Sequence, residues 1–151
     1  MNLKKFYLDS AMRDITSLGT IYYFILIAGA LFSLGHTQLS YKLAVAQILM
    51  YAVTIPAKLL FFRNRPGIMK HSNLIEKIEA SSFPSVHTVR AFFVSYMLAA
   101  AFGSAALTAA LSVLALLVAY SRIYLKRHYY RDIAAGAAIG LIIGYGVMEY
   151  V

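Results

Sequence analysis

Ser121 to Asp132 reads SRIYLKRHYYRD, and the two runs it joins decide the fold. An apolar run from Ala105 precedes it and another from Ile133 follows it, each about 20 residues, the length an α-helix needs to cross a bilayer core. The joining stretch carries a Ser-Arg pair, a basic turn, and a histidine four residues before an aspartate. If a helix starts near His128, positions i and i+4 share one face. The Asp132 carboxylate then accepts a proton from one ring nitrogen, and the other keeps its lone pair for a nucleophile or a general base. Arg122 lies off that face on a continuous helix, so it meets His128 only if the chain breaks between them, where Lys126 and Arg127 stand. Basic residues and tyrosines at the rim of an apolar segment are also ordinary interface anchors, and this stretch alone leaves both readings open.

The whole chain is 61% hydrophobic and 13% charged, with a mean hydropathy of +0.70. A soluble domain is typically about 45–50% apolar, so this is a membrane protein. The net charge of +8 then marks anionic headgroups or phosphorylated substrates at the bilayer surface. It does not mark nucleic acid, because no polar face remains to form a basic groove. The lack of cysteine excludes disulfides, thiolate metal sites and cysteine nucleophiles.

Residues 1–14 are too polar to span and read as an interfacial amphipathic helix or a plain leader. Ala28-Gly29-Ala30 has the form of a signal cleavage site, but the apolar run continues to Leu34, which favours an uncleaved anchor. Five spans of about 20 residues follow, at Ile15 to Leu34, Leu43 to Phe62, Val86 to Phe102, Ala105 to Leu125 and Ile133 to Val151. The expected fold is therefore all-α, a polytopic helical bundle of about five spans plus the N-terminal helix, forming one domain over 1–151. Gly103-Ser104 is a weak break, and Pro56 is expected to kink the second span. Gly136, Gly140 and Gly144 form a stripe that lets a neighbouring helix approach closely.

Further charge stands at the ends of the second and third spans. Lys58 and Arg65, seven residues apart, are two helical turns apart and point the same way, and Pro66 helps end the segment. Lys58 either snorkels to the interface or marks a functional site. Asn73 with Glu76 caps a short helix in the following loop, where it serves as a lid or as simple structure. His71 and His36 read as solvated loop residues. Pro84 and Ser85 open the third span, whose start is an anion site, with His87 in its first turn as an acid that protonates a departing oxygen. Arg90, a turn beyond, either touches a second phosphate or pairs with Glu76 or Glu79.

Lys58-x6-Arg65-Pro66, Pro84-Ser85-x-His87 and Ser121-Arg122-x5-His128-x3-Asp132 resemble, in order and spacing, the three-part signature of the type-2 phosphatidic acid phosphatase superfamily. RDITSLG, Arg13 to Gly19, is similar to the opening of the first core helix in bacterial members. The resemblance implies a lipid phosphate phosphatase needing no metal or other cofactor. His128 would form a phosphohistidine, Asp132 would orient it, and His87 would protonate the leaving group and later activate water. Lys58, Arg65 and Arg122, with Ser85 and the amide of Val86, would bind the phosphoryl oxygens. The partners implied are a phosphorylated lipid and the surrounding membrane lipids, with isoprenoid diphosphates, phosphatidylglycerol phosphate and phosphatidic acid as candidate substrates. Arg90 favours a diphosphate.

Two departures stand out. Val86 replaces the family's usual glycine between serine and histidine, and the expected spans do not include the first of the six usual in many members, with at most an interfacial helix in its place. Five spans leave Lys42 alone among the fourteen Lys and Arg on the far side, which by the positive-inside rule makes the site face cytoplasmic. The resemblance implies an outward face instead. A phosphotransferase using the same site, or a non-catalytic lipid-binding or transport protein, are the alternatives.

Overall fold

The computed structural model describes residues 3–66 and 73–151. The described residues form seven helices: α1 (Leu3–Ser17), α2 (Ile21–Ser33), α3 (Thr37–Leu60), α4 (Leu74–Ala80), α5 (Val86–Phe102), α6 (Ala105–Tyr124) and α7 (Tyr130–Tyr150). Among the described residues the only extended pairing is an isolated bridge between Asn64 and Ser81, so the all-α expectation holds. His71 lies outside the described residues.

Three helices, α3, α6 and α7, are long and apolar enough to cross a bilayer, while α5 is a shorter apolar helix of 17 residues. The expected first span does not form as one rod. The chain bends by 50° between α1 and α2, and the pair makes a fourth span only if taken together. The break falls at Leu18 to Thr20, where Thr20 takes extended backbone as the N-cap of α2. α3 begins six residues before its expected start and runs through Pro56. The Gly103-Ser104 break is real. Gly103 ends α5 with φ 62°, and the Ser104 hydroxyl caps α6 by accepting from Leu107 N–H at 3.3 Å.

α5 is the hub, packed on α7, α6 and α3. Its closest neighbour is the glycine stripe of α7. A Cβ on Gly140 would lie 2.5 Å from the Val89 carbonyl, one on Gly136 3.0 Å from the Ser85 carbonyl, and one on Gly144 3.1 Å from Tyr96. Only glycine permits that approach. It brings the N-terminus of α5 against that of α7, and the Ser85 amide donates to the Asp132 carbonyl at 3.2 Å. Beside this seam an apolar core of Phe93, Met97, Leu43, Met50 and Val147 joins α5 to α3 and α7.

Candidate active site

The site is built from three chain reversals at one end of the bundle. At the end of α3, Lys58 is 5% exposed and its Nζ donates to the Ser81 carbonyl at 2.6 Å, so it turns inward and does not snorkel. The next segment is laced to the one before α5, with Ser82 N–H donating to the Arg63 carbonyl at 2.7 Å. At the start of α5, Ser85 Oγ accepts from Thr88 Oγ1 at 2.9 Å. The first bond of the helical ladder runs from Val89 N–H to the Ser85 carbonyl. The amides of Val86, His87 and Thr88 precede that ladder, at the positive end of the helix. The Val86 side chain packs against the apolar core.

The third reversal joins α6 to α7. Arg127 N–H donates to the Arg122 carbonyl and Lys126 N–H to the Ile123 carbonyl, both at 2.9 Å, with Lys126 at φ 54°. This is a Schellman ending with lysine in the left-handed position that glycine usually fills. The chain folds back so that His128 N–H also donates to the Arg122 carbonyl, at 3.2 Å. The expected break between Arg122 and His128 is therefore this turn.

The expected His128–Asp132 geometry is corrected. α7 starts at Tyr130 with Tyr129 as its N-cap, so His128 precedes the helix. Its Nδ1 is 3.8 Å from Asp132 Oδ2, too far for a hydrogen bond, and 2.7 Å from the Ser82 carbonyl oxygen. A carbonyl can only accept, so Nδ1 carries the proton and Nε2 the lone pair. Asp132 Oδ2 instead accepts from Tyr129 N–H at 2.8 Å, which starts α7 and leaves the carboxylate beside the ring as a counter-charge.

The cations surround this ring. Arg122 is 6% exposed. Its NH1 donates to Thr16 Oγ1 at 2.8 Å, and its Nε has no hydrogen-bond partner among the described residues. Arg65 Nε is likewise unpartnered. Lys58 is within electrostatic reach of Arg65, Asp132 and Arg122, and His87 of Arg122, Arg90, His128 and Arg65. Burial holds the His128 imidazole below its ordinary pKa of 6.5, and the charges of Arg122 and Arg65 push the same way, against Asp132 and the Ser82 carbonyl. Burial, then the charge of Arg127, lowers the Arg65 guanidinium from its ordinary value.

A family model described as the PAP2 superfamily matches residues 23–151. The chain belongs to the PAP2 superfamily. It is 30% identical over 142 residues to undecaprenyl-diphosphatase BcrC of Bacillus subtilis (strain 168), covering 91% of this chain and 72% of that one. The crystal structure of Aquifex aeolicus LpxE superposes with a TM-score of 0.82 at 28% identity, over 95% of this chain and 87% of that one. That of a transmembrane PAP2 type phosphatidylglycerolphosphate phosphatase from Bacillus subtilis gives 0.68 at 22% identity, over 95% and 76%, a likeness of fold. The protein is accordingly a multi-pass membrane phosphatase of the PAP2 superfamily.

One residue of the expected PAP2 site stands apart. Arg90 is 3% exposed and donates to Gln47 Oε1 at 2.9 Å, the Gly19 carbonyl at 2.6 Å and Tyr51 Oη at 3.1 Å. All three of its nitrogens are engaged within the bundle, so the accessory role for a second phosphate falls. Conversely, Arg63, Ser82 and Thr16 stand at the site although none is among the residues the three-part signature points to. Arg63 lies 4.1 Å over the Tyr129 ring and 3.9 Å from Asp132 Oδ1, at the open rim of the site. Its one advance signal was the charge two residues before Arg65. Ser82 acts through its carbonyl, which no sequence pattern marks.

Proposed function

We propose that the protein hydrolyses a phosphorylated membrane lipid, a monophosphate or a diphosphate, through a phosphohistidine at His128. Nε2 attacks phosphorus in line; the N–P bond forms as the P–O bond to the leaving group breaks, and His87 gives the departing oxygen its proton. His87 then takes a proton from water, whose oxygen displaces Nε2 and releases inorganic phosphate. Lys58, Arg65 and Arg122, with Ser85 and the Val86 amide, hold the phosphoryl oxygens as charge builds on them. Asp132 stabilises the ring when it becomes cationic.

The observation that carries the reading is His128 itself. It is a buried imidazole with Nδ1 held by the Ser82 carbonyl at 2.7 Å, kept neutral by its surroundings, among arginines with unspent donors. A headgroup-binding protein needs the arginines but has no use for a neutral, oriented imidazole. With Arg90 withdrawn, the relative BcrC is what favours an isoprenoid diphosphate over phosphatidylglycerol phosphate or phosphatidic acid. The chemistry is read as metal-free and the site as outward-facing, the orientation that the family likeness favours.

The test is phosphate release by purified protein in detergent with EDTA, from a panel of lipid mono- and diphosphates. Wild type should release phosphate, and His128→Ala should lose at least about a thousandfold. Release that needs an added metal, or survives His128→Ala, would sink the mechanism. Cells carrying the protein should hydrolyse an impermeant substrate while intact; hydrolysis only after lysis would reverse the orientation.

A further inference from the structure

The RDITSLG segment has no part in the chemistry just described, yet two helices of the site press upon it. It forms the end of α1 and the elbow into α2, closed by Leu18 N–H to the Ile15 carbonyl at 3.2 Å and Gly19 N–H to the Thr16 carbonyl at 3.1 Å. Three contacts converge there. Arg122 of α6 donates to the Thr16 hydroxyl at 2.8 Å. Arg90 of α5 donates to the Gly19 carbonyl at 2.6 Å. Gly19 itself lies flat against the first turn of α5, where an added Cβ would stand 3.0 Å from both the Cβ and the carbonyl oxygen of His87 and 3.0 Å from Val118. Further out, Tyr124 Oη donates to Asp9 Oδ1 at 2.7 Å and lays α1 along α6.

We propose that the α1–α2 elbow positions the phosphate site, with Thr16 setting the guanidinium of Arg122 and Gly19 seating the turn that carries His87. The inference rests on the phosphatase reading. An arginine side chain has many rotamers, but its fork is planar and rigid, so fixing NH1 aims the remaining donors. Thr16 is placed to do that from outside the three-part signature. Gly19 acts differently. It lets the elbow close on the backbone of His87, and any side chain there displaces the proton donor by a few tenths of an ångström, which a proton transfer in a transition state registers. Thr16 therefore governs binding of the phosphoryl group, and Gly19 the chemical step.

Thr16→Val removes the acceptor and keeps the shape, whereas Thr16→Ser keeps the acceptor. Inorganic vanadate, a phosphate-shaped oxyanion, reports binding without turnover through the rise in each variant's own melting temperature, so that a loss of fold alone cancels. Thr16→Val should shrink that rise, raise KM and lower kcat/KM about tenfold, while Thr16→Ser stays within about twofold of wild type. Gly19→Ala should lower kcat with KM nearly unchanged. An active wild type whose Thr16→Val variant keeps the full vanadate response and KM overturns the proposal and leaves the phosphatase reading standing. Equal losses in Thr16→Val and Thr16→Ser assign Thr16 to packing and overturn it too. If Gly19→Ala does not fold, the Thr16 pair decides. A wild type that neither releases phosphate nor responds to vanadate removes the phosphatase reading and the elbow with it.

Discussion

Arg90 and Arg122 sit on adjacent helices, are 3% and 6% exposed, and reach the same elbow of the chain, but they solve the problem of a buried cation in opposite ways. Arg90 spends all three nitrogens on an amide oxygen, a carbonyl and a phenol. It is a staple between α5, α3 and the elbow. Arg122 spends one nitrogen on Thr16 and leaves Nε unpaired, with Arg65 within electrostatic reach. A buried donor without an acceptor costs free energy. An arrangement that keeps one beside a second cation is organised for an anion that arrives later. Burial and charge are the same in the two residues, and the donors left over distinguish them.

The comparison breaks most visibly in a pair of substitutions. Arg122→Ala should lower kcat/KM by about a hundred- to a thousandfold, the usual loss on removing one donor to a transition-state oxyanion, with little change in thermal stability. Arg90→Met should do the reverse, costing roughly 1–3 kcal/mol through the acceptors it strands and less than about tenfold in kcat/KM per folded molecule. Thermal unfolding beside kinetics normalised to folded protein separates them. Equal losses of activity in both would erase the distinction.

That distinction was out of reach of the sequence, for a physical reason. Arg90 looks like Arg122 along the chain because its partners Gln47 and Tyr51 lie about forty residues away, on a helix whose rotation about its axis no local pattern fixes. What periodicity and length do fix was legible. Val86 and Phe102 were placed as the limits of α5, and Ala105 as the start of α6. The glycine stripe of α7 promised a close neighbour, which proves to be α5. The first span failed because Leu18-Gly19-Thr20 keeps an apolar run going by composition, although Gly19 before a capping threonine also signals a break. The His128–Asp132 pair was misjudged because tyrosine is a poor cue for an N-cap. Helical spacing counted from His128 therefore begins the helix two residues too early, and no local pattern marks the Ser82 carbonyl.

Two glycines of α7 sharpen the comparison in terms of space. Gly140→Ala would put a methyl 2.5 Å from the Val89 carbonyl, and backbone cannot rotate away as a side chain can. The α5–α7 seam should open at about 2–3 kcal/mol, with lower activity because it aligns Ser85 with Asp132. Gly146 has nothing within 4 Å, so Gly146→Ala should be neutral or gain up to about 1 kcal/mol in helix propensity. Thermal unfolding in one detergent measures both. Equal effects would mean that the stripe is not what seals the helices.

Protonation of His128 gives a finer distinction. Burial and the charges of Arg122 and Arg65 hold its pKa below 6.5, and Arg90 is not among the causes. The neutral, nucleophilic ring therefore persists as pH falls below 6.5, and is lost only as pH passes through the lowered value. An NMR titration should place the His128 midpoint below 6.5. Arg122→Ala should move it upward, because a repelling charge is gone, and Arg90→Met should leave it in place. A midpoint at or above 6.5 in wild type would remove the basis for a neutral nucleophile.

The smallest effect concerns the turn that brings Arg122 and His128 together. Lys126 occupies the left-handed position of the Schellman ending at φ 54°, where a Cβ is strained and glycine is not. Lys126→Gly should relieve that strain, and the gain is partly offset by the freer unfolded chain. The net should be roughly 0.5–1 kcal/mol in favour of the folded state. Since the side chain is exposed and only the backbone shapes the turn, kcat/KM should stay at the wild-type value. Greater stability at unchanged activity would identify Lys126 as a conformational compromise. Lower activity would instead give its ammonium a part in drawing the anion in, and the set of cations with donors to spare would grow by one.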